Sequence, residues 1–320
     1  MSDSQPTVSV IIPTYNRKDS LLRTLESLAR QIYPADRLHL IVVDNGSADG
    51  TAQAIRERYP QVTVLENSEN LGFAEGNNVG IRYAMERGAD YVMLLNNDTV
   101  VDPAMLTELL AVAESDPKIG IVGPKMLYFD PPDVIWCAGN KIDWERGGLI
   151  RLRAEEHDTG TDEDPLEVDY ITGCGVCLRR AVIEQIGMLD PRFFIYYEES
   201  DWCLRAHQAG WRVLYIPQAR LWHKVSAAMG TASPATDYYM ARNVLLFIAK
   251  HHLGVRRLRY LLKVTGRTLL AIAAYTAKPH GGARIPNRNA RLLALRDALL
   301  GRWGKMGADV AQVCYPQKTG

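Results

Sequence analysis

The stretch YVMLLNNDTVVD, residues 91–102, runs five apolar side chains straight into Asn96, Asn97 and Asp98. A short apolar run bounded by turn residues reads as a strand buried on both faces. Its polar end has two readings. Asn and Asp are ordinary turn residues, so the strand can simply leave the core. Alternatively, the carboxyl end of a parallel strand is where open α/β sheets hold ligands. The neighbouring sequence supports such a sheet: VSVIIP (8–13), HLIVVD (39–44) and VTVLE (62–66) are further buried strands. Between them lie a helical spacing of Leu21, Leu22, Leu25 and Leu28 and candidate helices over 49–59 and 74–87, the last closed by Gly88. Apolar strands alternating with amphipathic helices imply a doubly wound, mostly parallel α/β sheet flanked by helices.

The rhythm changes after IGIVGPKM (119–126). Residues 127–153 read as a β excursion, and AEEHDTGTDEDPLEVD (154–169) as an acidic loop, expected to be the most mobile piece. VDYITGCGVCLRR (168–180) reads as a strand, 181–186 as a short helix, and 193–217 as a turn, a helix and a strand.

With 320 residues and 47% hydrophobic content, disordered and fibrous classes are excluded. Five cysteines, an odd number, and no apolar signal sequence after Met1 point to reduced thiols and a cytosolic protein. No stretch approaches the ~18 apolar residues needed to span a bilayer. The net charge of zero hides an asymmetry: residues 1–240 hold 22 Lys/Arg and 35 Asp/Glu, whereas 241–305 hold 14 Lys/Arg and only Asp297 as an acid. So basic a segment seeks phosphate, and a membrane surface, nucleic acid or the acidic front half of the chain could each satisfy it. Residues 244–279 mix apolar runs with Arg and Lys and have almost no aromatic interleaving, which favours interfacial helices on anionic lipid over a nucleic-acid platform. A helical subdomain with a solvated basic face fits the same pattern.

Several polar clusters carry candidate chemistry. PTYNR (13–17) and DNGSADGT (44–51) end the first two strands, so Thr14, Tyr15, Asp44 and Asn45 would line one crevice. Tyr15 offers a stacking face and Asp44 an acceptor, as a nucleoside requires. ENLGFAEGNNVG (69–80) sets Gly72, Gly76 and Gly80 around a helix start, suited to phosphate, to a base or to close helix packing. CGVC (174–177) is not a redox or zinc pair, because in one strand residues three apart face opposite ways, ~10 Å apart. In YYEESDWCLRA (196–206), Glu198, Glu199 and Asp201 crowd three carboxylates into four positions beside aromatics. Acids favour helix N-termini, and crowded like charges also raise a pKa, as a general base requires. His223, in LWH, is structural or a ligand according to what stands opposite.

With TYNR, DNGSADGT, NLGFAEGNNVGI, LLNNDTVV, ITGCGVCLRR, FFIYYEESDWCLRA and His223 in that order, the chain resembles glycosyltransferase family 2, nearest its bacterial rhamnosyltransferase-like branch, over residues 7–225. The resemblance implies a GT-A domain over 1–230, with a nucleotide-sugar half (1–125) and an acceptor half (126–230), and leaves 231–320 as a basic helical segment. It implies donor contacts from Pro13, Thr14, Tyr15, Asn16, Arg17, Asp44, Asn45, Asn70, Gly72, Phe73, Asn77, Asn96, Asn97 and Asp98. It implies acceptor contacts from Thr172, Gly173, Trp202 and Arg205. Asn96-Asn97-Asp98 stands where the family has Asp-any-Asp, so Asp98, with His223, is expected to hold a divalent cation on the diphosphate. Asn96 replaces the first acid, and the imidazole favours Mn²⁺ over Mg²⁺. Glu199 matches the family's catalytic base, one methylene longer than the usual Asp, with Glu198 and Asp201 in reserve.

The implied activity is inverting transfer of a sugar, with dTDP-rhamnose as first donor and a UDP-hexose or UDP-galactofuranose next. The implied acceptor is a saccharide or polyprenyl-linked hydroxyl in cell-envelope polysaccharide synthesis, at the inner face of the membrane. An oligomer is compatible with the sequence; nucleic acid is not an expected partner. A sugar-nucleotide pyrophosphorylase would want a glycine-rich basic loop that PTYNRKDS lacks, and the dinucleotide fingerprint of an oxidoreductase is missing. A non-catalytic nucleotide-sugar-binding or scaffold protein is the alternative that Asn96 and Glu199 leave open.

Overall fold

The computed structural model describes residues 5–145, 148–161, 164–224, 233–277 and 284–315. Part of the acidic loop (162–163), the expected boundary at 230 and the end of the basic stretch (278–279) lie outside the described residues. The chain forms two compact units: Met1–Lys141, Ile150–Leu189 and Glu199–Val225 make the first, and Ile142–Leu149, Asp190–Glu198 and Ser226–Gly320 make the second.

In the first unit the elements run β1 (Val8–Thr14), α1 (Lys18–Leu28), β2 (Leu38–Asp44), α2 (Thr51–Arg58), β3 (Thr63–Glu66), α3 (Gly72–Glu86), β4 (Tyr91–Leu95), β5 (Thr99–Val101), α4 (Met105–Ser115) and β6 (Ile119–Tyr128). They continue through β7 (Ile135–Cys137), β8 (Asn140–Asp143) and β9 (Gly148–Arg151), of which 142–143 and 148–149 fall in the second unit, then β10 (Leu166–Glu167), β11 (Gly175–Arg179), α5 (Arg180–Ile186), α6 (Glu198–Gln208) and β12 (Arg212–His223). Among the described residues ten strands share one sheet, in the order β10-β12-β6-β11-β4-β1-β2-β3, with β5 on β12 and β7 on β6. β1 is parallel to β2 and β4, and β2 to β3, which gives the expected parallel core. Every residue of β1 and β4 is buried, as continuous apolar strands between two helical layers must be.

Two features depart from the expectation. β11 inserts antiparallel between β4 and β6, and it begins only at Gly175, after a turn in which Gly175 N–H donates to Thr172 O at 3.2 Å. Cys174 therefore precedes the strand rather than lying in it. The conclusion about CGVC stands on different grounds, since Cys174 and Cys177 are separate buried thiols, and burial pushes Cys177 up to about 12.

β5 is three residues long and is held on two sides. It pairs antiparallel with the end of β12, setting Thr99 opposite His223. From α1, Thr24 Oγ1 donates to Thr99 O at 2.8 Å, and Ser27 Oγ accepts from Val101 N–H at 3.2 Å. So short a strand is fixed only because both of its edges are satisfied.

The second unit is built on α7 (Pro234–His251), α8 (Gly254–Ala277), α9 (Arg284–Leu299) and α10 (Ala308–Cys314). Ser233 caps α7, accepting from Thr236 N–H at 3.1 Å. Trp144 stacks on Phe247 at 5.1 Å, and Glu145 pairs with Arg259 at 3.1 Å and Lys263 at 2.6 Å. No helix among the described residues is long and apolar enough to cross a membrane.

In the same unit the aromatic segment before α6 adopts left-handed backbone at Phe194, Tyr196 and Tyr197, with φ of 65°, 70° and 77°. Bulky residues rarely take that conformation, and it costs ~1 kcal/mol or more at each. Asn243, fully buried on α7, holds it: its Nδ2 donates to Phe193 O and Ile195 O at 2.8 Å and to Tyr196 O at 3.0 Å. Asn243→Leu leaves these carbonyls without that donor and is expected to destabilise the protein by about 3 kcal/mol. Denaturant unfolding of the full chain checks this; a loss under about 1 kcal/mol would mean the turn is held by its own chain.

Candidate functional site

The site follows from where the strands of the first unit stop. β1 and β2 end level, Thr14 opposite Asp44, and their loops are tied together. Asn16 N–H donates to Ser47 Oγ, and Ala48 N–H to Asn16 Oδ1, both at 2.8 Å. Asp44 closes the second loop, its Oδ1 accepting from Ser47 N–H at 2.9 Å. Pro13 and Thr14 are held from β4's end: Asn97 Nδ2 donates to Pro13 O at 3.2 Å and to Thr14 Oγ1 at 3.0 Å. Tyr15 projects from this edge, 46% exposed, with its ring open to solvent. Arg17 follows at the start of α1.

On the next side, Gly72 opens α3 with φ +82°, a conformation for which glycine is suited, and Asn70 Oδ1 accepts its N–H at 2.9 Å. Phe73 comes next and packs so close to Gly173 that a Cβ there would lie 2.7 Å from its ring. Asn96 N–H donates to Cys174 O at 3.2 Å, which brings Thr172 and Gly173 alongside the end of β4. The Thr172–Gly173 turn, Phe73 and the Asn96–Asp98 segment thus form one locality.

Asp98 and His223 meet there. His223 Nε2 lies 3.1 Å from Asp98 Oδ1, and both side chains are about nine-tenths buried. Their 125 positions of separation are closed by the β5–β12 pairing, reinforced by Lys224 N–H donating to Asp98 O at 3.0 Å. Trp136 sets the imidazole edge-on at 4.7 Å, and His223 Nδ1 is buried with no hydrogen-bond partner among the described residues. Adjacent donors on an octahedral cation with ~2.1 Å bonds are ~3 Å apart, so the pair fits a divalent ion by spacing and by chemistry. With Nε2 turned to a cation, Nδ1 carries the proton. No group of three His, Cys, Asp or Glu side chains that could hold a metal ion occurs among the described residues.

Of the three clustered acids, Glu199 is the one that is partly open; Glu198 is 3% exposed and Asp201 fully buried. Burial raises the Cys174 thiol well above its ordinary value, and the negative fields of Asp98 and Glu199 add to the rise.

Five expected contacts turn inward. Asp201 pairs with Arg205 at 2.9 Å, and Arg205 also donates to Ile186 O and, at 2.7 Å, to Met188 O, so neither is available to substrate. The cause is helical period: residues 199 and 201 lie ~160° apart around α6, on opposite faces. Trp202 is fully buried, its Nε1 donating to Gly187 O at 2.8 Å. Asn45, 4% exposed, spends both ends of its amide on protein, donating to Gly72 O at 3.2 Å and accepting from Asn67 at 2.9 Å. Asn77 is fully buried in α3 and donates to Phe73 O at 2.9 Å.

Two residues escaped the sequence reading. Arg23 and Lys224 line a cavity of roughly 130 Å³ that reaches Asp98 and Thr99. Lys224 follows His223 directly, which was a usable signal; Arg23 sits on a helix face where nothing local marks it.

Comparison with known proteins is consistent with this geometry. The family model for glycosyl transferase family 2 matches residues 9–187. The N-acetylglucosaminyl-diphospho-decaprenol L-rhamnosyltransferase of Mycobacterium tuberculosis is 29% identical, over 82% of this chain and 90% of its own. The dTDP-rhamnosyl transferase RfbF of Shigella flexneri is 25% identical, over 77% and 81%. The fold is similar to that of a mannosyltransferase from Pyrobaculum calidifontis solved with GDP-Man and Mn²⁺, with a TM-score of 0.58, 18% identity, and coverage of 94% of this chain and 89% of that one. It is likewise similar to S. aureus TarS 1-349 with UDP-GlcNAc, with a TM-score of 0.59, 18% identity, and coverage of 92% and 80%. The architecture is GT-A. A matched model spanning more than half of the chain, on a sheet whose carboxyl edge gathers these polar ends, makes this protein a member of glycosyl transferase family 2.

Proposed function

We propose that the protein is an inverting glycosyltransferase that moves rhamnose from dTDP-rhamnose to a saccharide hydroxyl on a polyprenyl-diphosphate carrier, in cell-envelope polysaccharide assembly at the cytoplasmic face of a membrane. The observation that carries the reading is the 3.1 Å approach of Asp98 to His223 at the carboxyl edge of the sheet, with Glu199 nearby. The names of both relatives, one with a diphospho-decaprenol acceptor, support the choice of sugar and carrier.

Tyr15 stacks on the base and Asp44 accepts from the nucleoside, while Asn97 keeps Pro13 and Thr14 in place. Asp98 and His223 would hold a divalent cation, with Mn²⁺ favoured by the imidazole. Such an ion, when bound, neutralises the departing diphosphate. Arg23 and Lys224 add positive charge beside Asp98. Glu199 takes the proton from the acceptor hydroxyl as its oxygen attacks the anomeric carbon on the face opposite the leaving group. A single displacement of this kind inverts the anomeric centre.

A thermal-shift screen of dTDP-rhamnose, UDP-galactose, UDP-galactofuranose and GDP-mannose, with and without Mn²⁺, tests the donor. The largest shift is expected for dTDP-rhamnose with Mn²⁺, followed by transfer of labelled rhamnose to a short polyprenyl-diphosphate saccharide. A nucleotide sugar that raises the melting temperature but is neither transferred nor hydrolysed would favour the non-catalytic alternative, and failure of all four to do so would overturn the donor reading.

A further inference from the structure

The second unit carries a surface that sugar transfer does not use. At 100° per residue, Val255, Leu258, Leu262 and Leu269 of α8 fall within roughly 60° of arc, a stripe ~21 Å long. All four are solvent-exposed, Val255 to 84% and Leu262 to 64%. Their centre lies ~110° around the axis from the helix's buried line of Val264, Thr268 and Ile272. Arg256, Arg259, Lys263 and Arg267 occupy the adjoining ~80°, beside Leu270, which is 71% exposed. With Arg257, α8 holds five basic side chains and no acidic one.

Exposed valine and leucines along one helix face are costly in water, and a cationic flank repels a like-charged partner. The combination complements one environment: an interface with apolar chains below and anionic headgroups beside them. We propose that α8 lies in the plane of an anionic bilayer surface, its leucine stripe inserted to the acyl boundary and its arginines and Lys263 on lipid phosphate. Glu145, which pairs with Arg259 and Lys263, moderates this charge rather than cancelling it. The inference rests on the proposed placement at a membrane and names the surface responsible; it is independent of the donor and acceptor.

Sedimentation of the full chain with phosphatidylcholine vesicles, with and without about a third phosphatidylglycerol, tests it. Native protein is expected to sediment with anionic vesicles and not with neutral ones, and to be released as salt rises from about 0.1 to 0.5 M. Combined Leu258→Ser, Leu262→Ser and Leu269→Ser is expected to lower the partition coefficient at least tenfold, on the order of what loss of three inserted leucines implies. Arg256→Glu with Arg259→Glu is expected to lower it by a similar factor, whereas Ile32→Ser, at an exposed site of the first unit, leaves it unchanged. Unaltered melting temperatures verify folding, since every changed side chain is exposed.

Native binding that survives the leucine changes would overturn the assignment to α8 and leave the membrane placement standing. No native binding to anionic vesicles would overturn both, with the transfer reading untouched. A native dimer in sedimentation velocity that becomes monomeric in the leucine variant would overturn the proposal by making the stripe a contact between two copies.

Discussion

Glu199→Gln is expected to lower kcat by about 10³-fold while donor affinity stays within about twofold, because the amide fills the same space and cannot take a proton. The expectation follows from α6: Glu199 in its first turn is partly exposed and its charge is felt at Cys174, as that of Asp98 is, whereas Asp201 is committed to Arg205. Asp201→Asn is accordingly expected to act on stability, by about 3 kcal/mol, through the weakened partner of a largely buried guanidinium. Steady-state kinetics beside donor titration separate the two effects. A folded Asp201→Asn enzyme with the full turnover defect, and an active Glu199→Gln, would move the base one face round the helix.

Asp98→Ala is expected to remove Mn²⁺-dependent turnover, a fall of at least about 10³-fold, and to abolish the gain in donor affinity that Mn²⁺ brings. His223→Ala is expected to act in the same direction. With Asp98 and His223 as the two proposed protein ligands, 3.1 Å apart, removing the carboxylate would leave one imidazole, too weak an anchor for a hard cation. Calorimetric titration of nucleotide with and without Mn²⁺ reads this without requiring the acceptor. If Asp98→Ala retained both the affinity gain and turnover, the paired-ligand reading would be lost.

The strands and helices of residues 8–95 were legible nearly residue by residue: β1 was expected over 8–13 and spans Val8–Thr14, and α3 was expected over 74–87 and spans Gly72–Glu86. Such elements announce themselves because burial on both faces and helical period are written locally. β11 was misjudged in length because a turn at Thr172–Gly175 interrupts an apolar run that looks continuous. β5 was invisible, being three residues held by partners far away in the chain.

By itself the sequence determined the parallel core, the candidate residues at its carboxyl edge and the basic, apolar character of the last helices, since each depends on composition and short-range spacing. Only the tertiary structure decided that Asp98 faces His223, that Asp201, Arg205 and Trp202 turn inward, and that 142–149 and 190–198 belong with the C-terminal helices. Those outcomes turn on pairing between distant segments and on the angular register of one helix. A side chain's type says what it can bind, but only the packed chain says which neighbour it meets.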